Sequence, residues 1–166
     1  MTFVQMIFCA IFGYLVGGFS SAITISLARN KQDVRSVGSG NAGATNMLRN
    51  FGWRAGLLTF GCDVLKGALA TAMGLWSFGP DGAVICGVAA VVGHTYPIYY
   101  GFKGGKGISA TVGMMLVLAP KIMIITIVLG VIVIYFTRIV SIGSLLGNVA
   151  LFVFSWTLYY PEKLSL

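Results

Sequence analysis

No charged side chain occurs in the first 28 residues, and that fact alone removes most folds from consideration. About 20 apolar residues cross ~30 Å of hydrocarbon as a helix. The run is not a secretory signal, because its start lacks a basic segment and the apolar stretch is too long. The remainder of the chain has the same character. Charged residues make up 9% of the 166 positions, against roughly a quarter in an ordinary soluble domain. Hydrophobic residues make up 57%, and the mean hydropathy is +0.91. Disorder, a coiled coil and a disulfide-stapled scaffold fail on the same numbers. The chain reads as an all-α integral membrane protein, a polytopic helix bundle forming one membrane domain over residues 1–166.

Uncharged windows locate the spans. After the first come residues 55–78, interrupted by Asp63 and Lys66, then 82–100, closed near Pro97. A short run at 108–119 ends at the breaker Ala119-Pro120-Lys121, and spans follow at 122–137 and 139–160. That makes six membrane helices. The spacings Gly13-x-x-x-Gly17 and Gly143-x-x-x-Gly147 suit close helix packing in lipid. Cys9, Cys62 and Cys86 lie in apolar runs without metal-type spacing and read as small buried hydrophobes.

The net charge of +7 does not indicate nucleic acid, because the basic residues sit between apolar stretches. The positive-inside rule orders them. Arg29, Lys31, Arg35, Arg49, Arg54, Lys103, Lys106 and Arg138 fall on one side, and Lys121 and Lys163 on the other. The N-terminus is therefore expected outside, and the glycine-rich loops in the cytoplasm.

Two of those loops carry chemistry. The first reads Gly38-Ser39-Gly40-Asn41-Ala42-Gly43-Ala44-Thr45-Asn46, with Arg49 following. It matches G-x-G-x-x-G formally, but no strand precedes it, so it is not a dinucleotide fingerprint. Its glycines permit positive φ and an inward-pointing nest of N–H groups, and Arg49 offers a bidentate fork for phosphate. A polar turn with a helix cap is the plainer reading. The second loop runs from Gly93-His94 through Pro97 to Lys103-Gly104-Gly105-Lys106-Gly107. It is not a Walker A sequence, so ATP is unsupported. Its amides and two ammonium groups, leading into a helix near Ile108, suit a phosphate; lysines of a flexible turn are the alternative.

His94 is the single histidine, so no multi-histidine metal site exists. Asp63 and Lys66 stand at i, i+3 within a span, where ionisable groups mark either a functional site or an ion pair that fixes packing. No Ser-His-Asp arrangement is credible from the sequence.

Taken together, the first loop, Asp63-x-x-Lys66-Gly67 and the second loop resemble the bacterial acyl-phosphate:glycerol-3-phosphate acyltransferases of the PlsY type. The resemblance runs over essentially the whole chain, in the same order. It implies a seven-helix membrane bundle in the bacterial inner membrane, with an active site on the cytoplasmic face. The implied reaction moves a fatty acyl group from acyl phosphate to the sn-1 hydroxyl of glycerol 3-phosphate, without cofactor or metal. It places Ser39, Thr45 and Arg49 in the active site, Lys103, Gly104, Gly105 and Lys106 on the glycerol-phosphate loop, and Ser141 on a later helix. With the residue-level reading added, the candidate catalytic residues are Ser39, Arg49, Asp63, His94 and Lys106. The candidate substrate-binding residues also include Gly38, Gly40, Asn41, Asn46, Lys66 and Gly107.

Two departures stand out. The family has Ser-x-Pro-Ser in the first helix, where this chain has Gly18-Phe19-Ser20-Ser21. The family also carries a seventh helix and a cytoplasmic His-x-x-Asn segment, and the present sequence reaches Leu166 without them. The expectation is retained anion loops with reduced transfer, since losing one catalytic donor costs ~10²–10³ in rate.

Acyl phosphate is already activated, so direct transfer needs only positioning and charge stabilisation. Lys103, Lys106 and the Gly104 and Gly105 amides are expected to hold glycerol 3-phosphate, and Arg49 and Ser39 the acyl phosphate. Asp63, His94 and the substrate's own phosphate are the candidate proton acceptors, and the resemblance favours the last. The competing class is a transporter or channel for a phosphorylated anion, with Asp63 and Lys66 as a relay.

Overall fold

The computed structural model describes the backbone of residues 1–159 and the side chains of residues 1–154. Every regular element among them is helical. The helices are α1 (Phe3–Gly18), α2 (Ser21–Asn30), α3 (Ala44–Phe51), α4 (Trp53–Thr95), α5 (Ile108–Leu118), α6 (Pro120–Thr137) and α7 (Val140–Tyr159). All six apolar segments expected from the sequence are helical. The end of the last one at residue 160, and the Pro161-Glu162-Lys163 stretch, lie outside the described residues. Phe3–Asn30, Trp53–Tyr100 and Pro120–Thr137 are long and apolar enough to cross a membrane. The 11-residue α5 is about 16 Å long.

The uncharged N-terminal run is not one helix. A capping box between Thr2 and Gln5 starts α1, and the chain leaves the helix after Gly18. Phe19 and Ser20 are extended, and the Ser20 hydroxyl accepts from the Ile23 amide to cap α2. A serine that caps the following turn competes with helix continuation, which is why the uncharged run divides here.

The 43 residues of α4 also divide. Gly79 takes φ 71° and ψ −161°, a conformation open to glycine and strained for other residues. Pro80 then opens the second arm, where its missing N–H costs nothing. The arms, residues 53–78 and 80–95, fold back antiparallel, with Gly74 against Gly82 and Gly87 against Thr71. Trp53 and Trp76 are exposed near the two ends of the first arm. They are 23 positions apart, about 35 Å along a helix, which suits two aromatic belts at the membrane interfaces.

Lipid is as apolar as leucine, so burying large side chains between these helices gains little and close backbone contact holds them instead. Gly13 and Gly17 of α1 lie against the backbone of Cys86 and Ala90 on the second arm, Gly93 lies against Tyr14, and Gly113 of α5 lies against Val64. Phe3, Phe8, Ile11, Leu65, Leu69 and Val88 point outward. Beneath the first loop a small core gathers Ala22, Ile23, Val34, Ala42, Met47 and Ala55.

Residues Met1–Leu118 form one compact unit, and a second begins at Ala119. Within the second unit, Pro120 starts α6, Gly143 of α7 packs on Gly130 and Ile134, and Gly147 lies near Thr126.

Candidate active site

The first loop is built by Asp33, Arg35 and Asn46. Asp33 caps the short 3₁₀ turn Val34–Ser36 by accepting from the Arg35 amide at 2.8 Å. The Arg35 guanidinium returns to the same carboxylate through Nε, at 3.1 Å to each oxygen, and through Nη2 at 2.8 Å. This fork holds the Asp33 carboxyl below its ordinary range and raises Arg35 above its own. Beyond the turn, Gly38 and Gly40 have φ of 57° and 70°, the positive values that their residue type allows. Asn46, buried on α3, donates to the carbonyls of Val34 and Val37 and accepts from the Ser39 amide and Asn50 Nδ2. The amide of Asn46, a candidate substrate-binding group, holds the loop in shape.

The second loop closes on its own carbonyls. Tyr100 and Phe102 donate to Pro97 O. The Gly104 and Gly105 amides donate to Thr95 O at 3.2 Å and His94 O at 3.0 Å. These are the amides expected to grip phosphate, and in this structure their hydrogens point to carbonyls of the same loop. The glycines serve close packing. A Cβ on Gly104 would meet His94 O and Pro97, and one on Gly105 would meet the His94 ring. Gly107, at φ 83°, has Val91 and Thr95 beside it.

The Ala42 amide donates to Gly104 O at 3.3 Å, and Arg35 Nη1 donates to Tyr100 O at 2.7 Å. These two bonds join the loops. Gly40 and Lys103 line one open cleft of about 680 Å³ with Arg35 and Tyr100. Ser39, Arg49, Lys103 and Lys106 are exposed, Thr45 is half-buried, and their side chains have no polar partner among the described residues. Asn41 is half-buried beside Gly43.

Beneath the loops lies a buried cluster. Asp63, 1% exposed, uses one oxygen for three partners: Ser21 Oγ at 2.5 Å, Lys66 Nζ at 3.1 Å and His94 Nδ1 at 3.5 Å. Lys66 also donates to Phe19 O at 2.5 Å, which satisfies the carbonyl left free where α1 stops. The ammonium of Lys66, a candidate substrate-binding group, sits in this joint. Ser21 directs its proton at Asp63 and the other imidazole nitrogen of His94 faces Gly105, so these residues do not form a nucleophilic triad.

Ser141 is an exposed residue of the first turn of α7, in the second unit. Sequence reasoning missed Asp33, Arg35, Ser21 and Tyr100. Opposite charges two residues apart, just before a glycine loop, were the available signal for the first two.

The sequence profile of the glycerol-3-phosphate acyltransferase family matches residues 7–166. The chain belongs to the glycerol-3-phosphate acyltransferase family. Among its relatives, the glycerol-3-phosphate acyltransferase of Thermoanaerobacter pseudethanolicus is 44% identical over 84% of this chain and 71% of its own length. That of Finegoldia magna is 41% identical over 98% of this chain and 81% of its own. The crystal structure of PlsY, an integral membrane glycerol 3-phosphate acyltransferase, superposes in its glycerol 3-phosphate form with a TM-score of 0.86. The identity there is 35%, over 91% of this chain and 76% of PlsY. The lysophosphatidic acid form gives a TM-score of 0.82 at 32% identity, over 96% and 80% of the two chains. This acyltransferase is thus an all-helical integral membrane protein.

Proposed function

We propose that this acyltransferase uses acyl phosphate as donor and the sn-1 hydroxyl of glycerol 3-phosphate as acceptor, at the cytoplasmic face of a bacterial inner membrane. The hydroxyl oxygen attacks the acyl carbonyl, the bond from that carbon to the phosphate oxygen breaks, and lysophosphatidic acid and inorganic phosphate leave. The departing phosphate takes the hydroxyl proton, so no covalent enzyme intermediate is needed. The likeness to PlsY in its glycerol 3-phosphate and lysophosphatidic acid forms supports acceptor and product.

One observation carries the assignment of residues. The Ala42–Gly104 bond joins a loop bearing Ser39 to a loop flanked by Lys103 and Lys106, and these cations have no protein partner among the described residues. Lys103 and Lys106 hold the glycerol phosphate, with Gly40 in the wall of the cleft beside Lys103. Arg49, Ser39 and Thr45 hold the acyl phosphate, whose alkyl chain stays in the bilayer. Charge developing on the carbonyl oxygen is stabilised by these donors. Asp63 and His94 support the loops from below.

The test is phosphate release from palmitoyl phosphate by purified protein, with and without glycerol 3-phosphate. Release that depends on glycerol 3-phosphate and yields lysophosphatidic acid is expected. Movement of a phosphorylated anion across liposomes, with no such release, would overturn the reading in favour of a transporter.

A further inference from the structure

Arg35 lies outside every motif that pointed to the reaction, yet it is the side chain that spans the two loops. Three of its nitrogens are used. Nε and Nη2 face the Asp33 carboxylate, and Nη1 donates to Tyr100 O at 2.7 Å. Paired with Asp33 at 2.8 Å, it adds no net charge to the cleft, so its contribution there is geometric. The turn that it holds needs support. Tyr100 ends the 3₁₀ turn Ile98–Tyr100, and the next two residues, Gly101 and Phe102, have φ of 66° and 60°. Phe102 is thus left-handed without being glycine, a conformation that L side chains disfavour. The adjacent residue is Lys103, which lines the cleft with Arg35 and Gly40.

We propose that Arg35 is a positioning residue of this acyltransferase: by clamping Tyr100 to the first loop it fixes the turn that presents Lys103 to glycerol 3-phosphate. The proposal rests on the reading of Lys103 given above. Arginine suits the task because a planar fork can hold a carboxylate along one edge while a third nitrogen reaches a carbonyl elsewhere. The point charge of lysine cannot hold both in fixed geometry.

The experiment compares Arg35→Lys, Lys103→Ala and the double variant with the unmodified protein. Arg35→Lys keeps the charge and releases the turn. Amide hydrogen exchange at residues 100–105 is expected to quicken about tenfold, with the helical arms of α4 unchanged. KM for glycerol 3-phosphate is expected to rise about five- to tenfold, with kcat and KM for palmitoyl phosphate within twofold. Because Arg35 acts through Lys103, the double variant should be no worse in KM than Lys103→Ala alone. If Arg35→Lys folds poorly, Asp33→Asn releases the guanidinium from one side and should shift the same amides and the same KM in the same direction. Unchanged exchange at 100–105, additive KM effects, or equal losses for both substrates would each overturn the proposal. Failure of the functional reading looks different. The unmodified protein would then release no phosphate in response to glycerol 3-phosphate, while the exchange measurement would still decide whether the clamp exists.

Discussion

The His94 imidazole occupies the space that a side chain on Gly105 would need, and the Gly105 amide in turn donates to the His94 carbonyl at 3.0 Å. Residue and loop are fitted to one another on both backbone and ring. Asp63, holding the other nitrogen of that ring, ties the pair to the break between α1 and α2.

Gly105→Ala is therefore expected to act through His94. Overpacking of this kind costs about 1–3 kcal/mol, so the thermal midpoint in detergent should fall, and activity should drop toward both substrates. The measurement pairs a melting curve with KM for each substrate. A rise confined to KM for glycerol 3-phosphate, at an unchanged midpoint, would show that phosphate approaches Gly105 directly.

Lys66→Met should be the most damaging single change in the buried cluster. It strands the Phe19 carbonyl and leaves Asp63 with Ser21 and His94 alone. Removing one partner of a buried ion pair typically costs about 3–5 kcal/mol. The expected outcome is a large fall in the folded fraction recovered after mild heating. A variant as robust as the parent would mean that the joint at Phe19 is held by helix packing instead.

Arg49→Lys separates charge from geometry. Arg49 is exposed on α3 without a protein partner among the described residues, so loss of its fork should leave stability unchanged. Turnover should fall at least tenfold if the planar fork grips phosphate. Full turnover would reduce Arg49 to a topology signal.

The Asp33–Arg35 pair makes a prediction about acid. Its carboxyl is held below the ordinary Asp value of 3.8, so the unfolded chain binds this proton more readily than the folded one. The contribution to stability is thus fully present above about pH 4 and disappears as pH falls through the lowered folded value. The difference in thermal midpoint between the parent and Asp33→Asn should be flat from pH 5 to 8 and shrink below pH 4. A difference that varied between pH 5 and 8 would point to another titrating group.

Much of the fold was legible because lipid imposes simple rules. Apolar windows with few or no charges located the long helices, and Gly13, Gly17, Gly143 and Gly147 lie in helix contacts as their spacing suggested. The break at Phe19-Ser20 was hidden, because serine continues an uncharged run while its hydroxyl stops the helix. The loops were recognisable as glycine-rich and basic, but the partners of their amides were not. Whether a glycine N–H faces a ligand or a carbonyl such as His94 O depends on how distant segments meet. Lys66 was ambiguous for the same reason: nothing local reveals that its ammonium reaches a carbonyl 47 positions earlier.

The turn at Gly79 has a consequence for how the protein is made. One non-helical residue joins two apolar arms, which leaves the chain no arrangement but an immediate antiparallel return. Gly74 and Gly82 therefore meet as soon as both arms are helical. A bulky residue at Gly79 would strain the one position where the chain reverses, and the loss should appear in the yield of folded protein before any question of catalysis arises.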